Sequence, residues 1–257
     1  MLLRREVLRI GAFADSEWKT RGRRGPNLAA PSISLVTIDV DTPHGLARVH
    51  LHPVADPKAA LVLGHGAGGG VSAPDLVAAT DAARSEGLTV ALVEQPYRVA
   101  GRRSSPPARQ LDAAWIAVVE ALRSGELSGL PLVVGGRSAG ARVACRTVEQ
   151  TGAVGVLCLA FPLQPPRRKS GAVSPSRLPE LAAVPVPTLV VQGERDRFGM
   201  PPESALRTVV RVPGDHSLRS GRDAIAAAVQ EWLRQSRPGS AREPARGLTS
   251  VRSRCWV

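Results

Sequence analysis

Ser138 stands between two glycines in Gly136-Arg137-Ser138-Ala139-Gly140, directly after the apolar run Leu132-Val133-Val134 and before a helical stretch. A serine in that place is a candidate nucleophile. Strand, Gly-x-Ser-x-Gly and helix, in that order, describe a nucleophile elbow, a sharp turn that lifts the hydroxyl clear of a sheet. The flanking glycines let the backbone take a path that a Cβ would obstruct. Serine is a weak nucleophile at neutral pH, so it needs a base, the base needs an orienting acid, and a developing oxyanion needs donors.

The chain offers a candidate for each part. Asp196 lies just past the apolar run Leu189-Val190-Val191, in Gln192-Gly193-Glu194-Arg195-Asp196. His216 follows the next apolar run, in Val212-Pro213-Gly214-Asp215-His216. The glycine-rich loop Gly64-His65-Gly66-Ala67-Gly68-Gly69-Gly70 follows Leu61-Val62-Leu63. Serine, aspartate and histidine occur in the order that accompanies an elbow. Each has a plainer rival reading. Ser138 is also a favoured helix N-cap type, and Glu194 and Asp215 compete with Asp196 as the acid. His65 reads as a structural loop residue. His50 and His52 form His-x-His on a strand with no third ligand in view, so no metal is expected. The glycine-rich loop lacks the Lys-Ser/Thr of a phosphate loop and the spacing of a dinucleotide fingerprint, so no nucleotide or other cofactor is expected.

These residues need a frame that brings them to one place. From Ile33 to Gln235 strand-like and helix-like segments alternate with short connections, the signature of βαβ units. The first pair reads as an antiparallel hairpin: Val36, Ile38 and Val40 alternate with polar neighbours, as do Ala47, Val49 and Leu51 after Pro43-His44-Gly45. The later strands are continuous apolar runs, as expected where both faces of a sheet are covered: Leu61–Leu63, Val90–Val93, Leu132–Val134, Val154–Phe161, Leu189–Val191 and Val209–Val212. Leu111, Trp115, Val118 and Leu122 share one helix face, as do Ile225, Val229, Trp232 and Leu233. The expected architecture is α/β, a mostly parallel sheet of about eight strands flanked by helices. All four candidate sites then fall at the carboxyl edge of the strands, where open parallel sheets build binding crevices.

Composition sets the outer bounds. With 43% hydrophobic and 22% charged residues, the 257-residue chain is globular in type. Its net charge of +12 raises the question of a nucleic-acid partner. About a third of that charge lies in residues 1–33 and another third in 237–257, stretches rich in Arg, Pro, Gly and Ser that read as disordered. The division expected is 1–32 as an N-terminal extension, 33–236 as the folded domain and 237–257 as a basic tail. No specific nucleic-acid partner and no membrane association follow. Cys145, Cys158 and Cys255 fit neither a disulfide framework nor a metal spacing, which agrees with a reduced, cytoplasmic setting.

Taken together, the motifs resemble the α/β-hydrolase superfamily over roughly Ile33 to Gln235, with each motif in its expected order. The chain is most similar to small lidless members: dienelactone-hydrolase-like enzymes and the hydrolase-like family of testis-expressed proteins and a non-specific-lethal complex subunit. Gln95-Pro96-Tyr97 followed by Gly101-Arg102-Arg103, the stretch Gly135 to Arg142, and Pro162-Leu163-Gln164-Pro165-Pro166 carry the second likeness. The resemblance implies Ser138 as nucleophile, Asp196 as orienting acid and His216 as base. It also implies main-chain N–H groups of Ala139 and of Ala67 or Gly66 as the oxyanion hole. The segment after Phe161 is too short for a cap domain.

Arginines crowd the loops expected at the active edge: Arg98, Arg102 and Arg103, Arg137, Arg167 and Arg168, and Arg195 and Arg197. Guanidinium groups there would draw in anionic substrates and clamp a carboxylate. Arg137, Arg102 and Tyr97 are the candidate substrate-binding residues. The activity expected is serine-dependent hydrolysis of a small carboxylic ester, lactone or thioester through an acyl-enzyme. A catalytically idle interaction module and a peptidase or amidase on the same triad stand as alternatives.

Overall fold

The computed structural model describes residues 4–6, 35–166, 171 and 173–236. Arg167 and Arg168, Cys255 and the basic tail lie outside them, as does nearly all of the N-terminal stretch.

Among the described residues, nine strands form one sheet in the order β1-β2-β3-β5-β4-β6-β7-β8-β9. Arg4–Glu6 (β1) pairs antiparallel with Val36–Thr42 (β2), which turns through Pro43 and His44 into Gly45–His52 (β3). That short edge strand falls within the stretch read from sequence as an extension. β3 runs antiparallel to Leu88–Glu94 (β5). From there all pairings are parallel: β5 with Ala59–Gly64 (β4), then Leu132–Arg137 (β6), Gly155–Leu159 (β7), Thr188–Gly193 (β8) and Arg207–Val212 (β9). The hairpin and the six apolar runs thus become strands where the alternation and the continuous hydrophobicity placed them.

The helices divide between the two faces. Pro74–Ser85 (α1) and Arg222–Gln235 (α7) cover one face, with Leu76, Ile225, Val229 and Trp232 packed on Leu61, Leu63, Val191 and Val212. Ala108–Ser124 (α3), Ala139–Arg146 (α4), Val148–Thr151 (α5) and Leu178–Ala182 (α6) cover the other. Leu111, Trp115, Val118 and Leu122 all point into that second core. The one-turn Pro96–Val99 (α2) follows β5.

The chain reverses its direction of travel across the sheet at β4. It passes from β4 to β5 on one side, then returns through α3 to place β6 on the other. Such a switch leaves a crevice at the carboxyl ends of the strands involved. Gly64 at the end of β4 is in register with Gly136 near the end of β6, so the glycine-rich loop and the elbow emerge side by side.

Candidate active site

The elbow depends on three backbones meeting without side chains. A Cβ on Gly136 or on Gly140 would run into the carbonyl oxygen of Gly64, so β4, the end of β6 and the start of α4 pack main chain to main chain. Between them Ser138 is held at φ 52°, ψ −102°, a backbone conformation that costs a non-glycine residue roughly 1–3 kcal/mol. Its N–H donates to the carbonyl of Leu159 at 2.9 Å, tying the turn to the end of β7. Ser138 occupies the N-cap position of α4 but makes no side-chain cap hydrogen bond. Its hydroxyl faces His216 instead.

Oγ of Ser138 lies 3.0 Å from Nε2 of His216, and Nδ1 of His216 lies 2.8 Å from Oδ2 of Asp196. A buried carboxylate can only accept, so Nδ1 carries the proton and Nε2 presents a lone pair to the serine hydroxyl. The Asp196 side chain is 1% exposed and the His216 side chain 20%, so the acid is enclosed while the imidazole reaches solvent. Three residues separated by as many as 78 positions therefore converge in one hydrogen-bonded line.

The loop after β8 shapes the acid. Asp196 N–H donates to the Gly193 carbonyl, Gly199 N–H to the Asp196 carbonyl, and Phe198 N–H to Oδ1 of Asp196 at 2.9 Å. The amide of Gln192 donates to Oδ2 at 2.8 Å. The Phe198 ring meets the imidazole edge-on, 4.4 Å between centroids at 63°, and so fixes the ring plane. A Cβ on Gly193 would strike the main chain of Asp215, so the acid loop and the histidine loop fit together only with glycine there. Gln192 and Phe198 escaped the sequence reading. Gln192 had a signal, as a polar residue closing an otherwise apolar strand.

The rival acids do other work. Asp215 Oδ1 accepts from the N–H and hydroxyl of Ser217 in its own turn, and Glu194 is exposed. His65 donates from Nδ1 to the Gly66 carbonyl at 2.8 Å and accepts at Nε2 from the Gln95 N–H at 3.1 Å. It braces the glycine-rich loop as a neutral ring, and burial pushes its pKa down. His50 pairs with Glu94 at 3.1 Å, and among the described residues no three metal-binding side chains cluster.

Ala139 opens α4 directly after Ser138, where the first N–H groups of a helix have no intrahelical acceptor. Ala67 sits exposed at the tip of the loop from β4, and its carbonyl accepts the Tyr97 hydroxyl at 2.8 Å. Tyr97 and Arg102 line a cavity of about 290 Å³ with His44, Gln95 and Gln110, and Ser138 is not part of its wall. Arg137 lies apart from them. Its Nη2 donates to the His216 carbonyl at 3.0 Å and its Nε faces Asp75 at 3.4 Å. Arg102, Arg103, Arg195 and Arg197 are exposed, and Arg98 is half-buried. Among the described residues, no helix is long and apolar enough to cross a membrane.

Comparison with solved structures gives the same architecture. A lidless α/β serine hydrolase from Xanthomonas campestris is similar at a TM-score of 0.62 and 20% identity, over 79% of this chain and 95% of that one. An α/β serine hydrolase homologue from Coxiella burnetii reaches 0.63 at 15% identity, over 77% and 96%. A dienelactone hydrolase from Anabaena variabilis reaches 0.62 at 15% identity, over 79% and 97%. No curated protein matches the chain in sequence. The family model described as an alpha/beta hydrolase domain matches residues 57–234, and with well over half of its length covered the chain belongs to that family.

Proposed function

We propose that this protein is a serine hydrolase that cleaves a small carboxylic ester, lactone or thioester through an acyl-enzyme. The observation that carries the reading is the 3.0 Å contact between Ser138 Oγ and His216 Nε2, backed by the 2.8 Å contact of the same ring with Asp196. His216 takes the hydroxyl proton as Ser138 attacks the acyl carbon. Asp196 holds the imidazole tautomer and stabilises the imidazolium that forms. The N–H groups of Ala139 and Ala67, with Gly66 beside them, receive the oxyanion, an interaction worth about 3 kcal/mol per donor in such sites. His216 then returns its proton to the leaving group, and water repeats the sequence to free the acid.

The idle-module reading has less support, because a scaffold has no need of a strained serine aligned with a histidine and a buried acid. Within the family, the motifs around Tyr97, Ser138 and Pro162 favour the branch of the testis-expressed and non-specific-lethal complex proteins. The free, buried thiols of Cys145 and Cys158 favour a reducing, cytoplasmic setting. Exposed Arg102, Arg103, Arg195 and Arg197 favour an anionic substrate.

Labelling with a fluorophosphonate probe tests the reading. The wild-type protein reacts and Ser138→Ala does not. A wild-type protein that stays unlabelled overturns the assignment. Rates on a neutral aryl acetate and a carboxylate-bearing ester, at low and high salt, test the substrate: a preference for the anion that fades with salt is expected.

A further inference from the structure

Arg137 precedes the nucleophile, and its side chain turns inward. Nη2 donates to the main-chain carbonyl of His216 at 3.0 Å, and Nε lies 3.4 Å from Oδ2 of Asp75. Asp75, in the first turn of α1, is fully buried. Burial pushes its pKa up, and the guanidinium opposes that rise. The same guanidinium fills the space beside Gly66, where an added Cβ would sit 2.9 Å from Nη1 and 3.2 Å from Cδ. One planar group therefore touches the loop of the base, the loop that precedes Ala67 and the first turn of α1.

We propose that Arg137 and Asp75 form a positioning unit that sets His216 against Ser138 and shapes the glycine-rich loop, and that Arg137 is not a substrate clamp. The inference rests on the hydrolase reading above. A buried carboxylate left alone is costly, so Asp75 needs the cation and anchors it in return. Held there by charge, the guanidinium donates from Nη2 to the carbonyl of the residue that supplies the base. The fork of donors makes this possible; a lysine ammonium is a point charge and cannot hold both partners in the same geometry. A shift of about 1 Å in the base is enough to lower turnover by roughly a hundredfold.

The test uses the full chain and a neutral aryl acetate, with fluorophosphonate labelling of the wild type as the reference for activity itself. Arg137→Ala is expected to lower kcat about tenfold to a hundredfold with KM nearly unchanged. Added methylguanidinium is expected to recover part of that loss while leaving the wild-type rate as it was. Asp75→Asn, which keeps the shape of the side chain, is expected to lower kcat in the same direction, with unfolding curves showing that both variants are folded. Two results overturn the proposal: variants that match the wild type on the neutral ester, or an Arg137→Ala variant whose defect is a raised KM confined to carboxylate-bearing esters. An unlabelled wild type would count against the hydrolase reading itself and is distinguishable from both.

Discussion

Gln192 and His216 share one oxygen: Oδ2 of Asp196 accepts the amide of Gln192 and the Nδ1–H of His216, each at 2.8 Å. The carboxylate therefore cannot swing toward either partner without losing the other. The same amide also reaches the carbonyls of Phe161 and Gly199, so it pins the acid loop to the segment just past β7. Replacing Asp196 with Asn removes the acceptor that fixes the imidazole tautomer, and kcat on a neutral aryl ester should fall by about 10⁴. Gln192→Leu keeps the carboxylate and removes one hydrogen bond to it. Its kcat should fall about tenfold, which separates orienting the acid from being the acid.

The strained backbone at Ser138 predicts opposite effects from two small substitutions. Ser138→Ala keeps a Cβ in the same φ/ψ, so it loses activity without gaining stability. Ser138→Gly also loses activity but relieves the strain. It should be more stable by about 1 kcal/mol, or about 2–4 °C in Tm. Thermal unfolding of the three proteins side by side checks this.

Two glycines close to the site should respond differently to the same added methyl. A Cβ on Gly140 meets the Gly64 carbonyl and the main chain of His65, none of which can yield without moving β4. Gly140→Ala should cost more than about 2 kcal/mol and lower activity sharply. At Gly68 an added Cβ meets nothing within 4 Å. Gly68→Ala should stay within about 0.5 kcal/mol of the wild type in urea unfolding.

A pH effect on stability follows from Glu180. This α6 carboxylate accepts from Arg142 at 2.8 and 2.5 Å and from Arg146 at 3.3 Å. Burial raises its pKa, but the two guanidinium groups outweigh burial and leave it below the usual carboxylate range. A depressed folded-state value means that the unfolded chain binds the proton first. The stabilisation is then present above the unfolded value, about 4.3, and is lost as pH falls through the folded one. Glu180→Gln should be about 1–2 kcal/mol less stable than the wild type at neutral pH. The gap should close in acid, as read from urea unfolding across the range.

The strands, and the places of Ser138, Asp196 and His216 at one edge of the sheet, were legible in the sequence for a physical reason. Strands buried on both faces must be continuous in apolar residues, and a serine nucleophile must stand on a glycine-flanked turn. Leu61–Leu63 and Gly136–Gly140 satisfy those demands in plain view. Arg137 was harder to read. Its place beside Ser138 suggested a group facing substrate, yet the side chain turns toward Asp75, whose own sequence context is only an acidic residue after Pro74 at a helix start. Which way a side chain leaves a turn depends on what fills the space behind it, here the missing Cβ of Gly66. Gln192 was hidden similarly: its three acceptors come from Phe161, just past β7, and from the acid loop, and they meet only once the sheet has closed.

The hydrogen bond between Ser138 and His216 spans 78 residues and joins the end of β6 to the loop after β9. β7, β8 and β9 pair in succession beside β6, so these strands have to be in place before the hydroxyl meets the imidazole. A partly folded or C-terminally shortened chain can thus hold much of its sheet and still be inert. On the proposed function, recovery of turnover after denaturation should report completion of the sheet from β6 to β9, whereas helical signal should return earlier, from segments that close over far shorter loops.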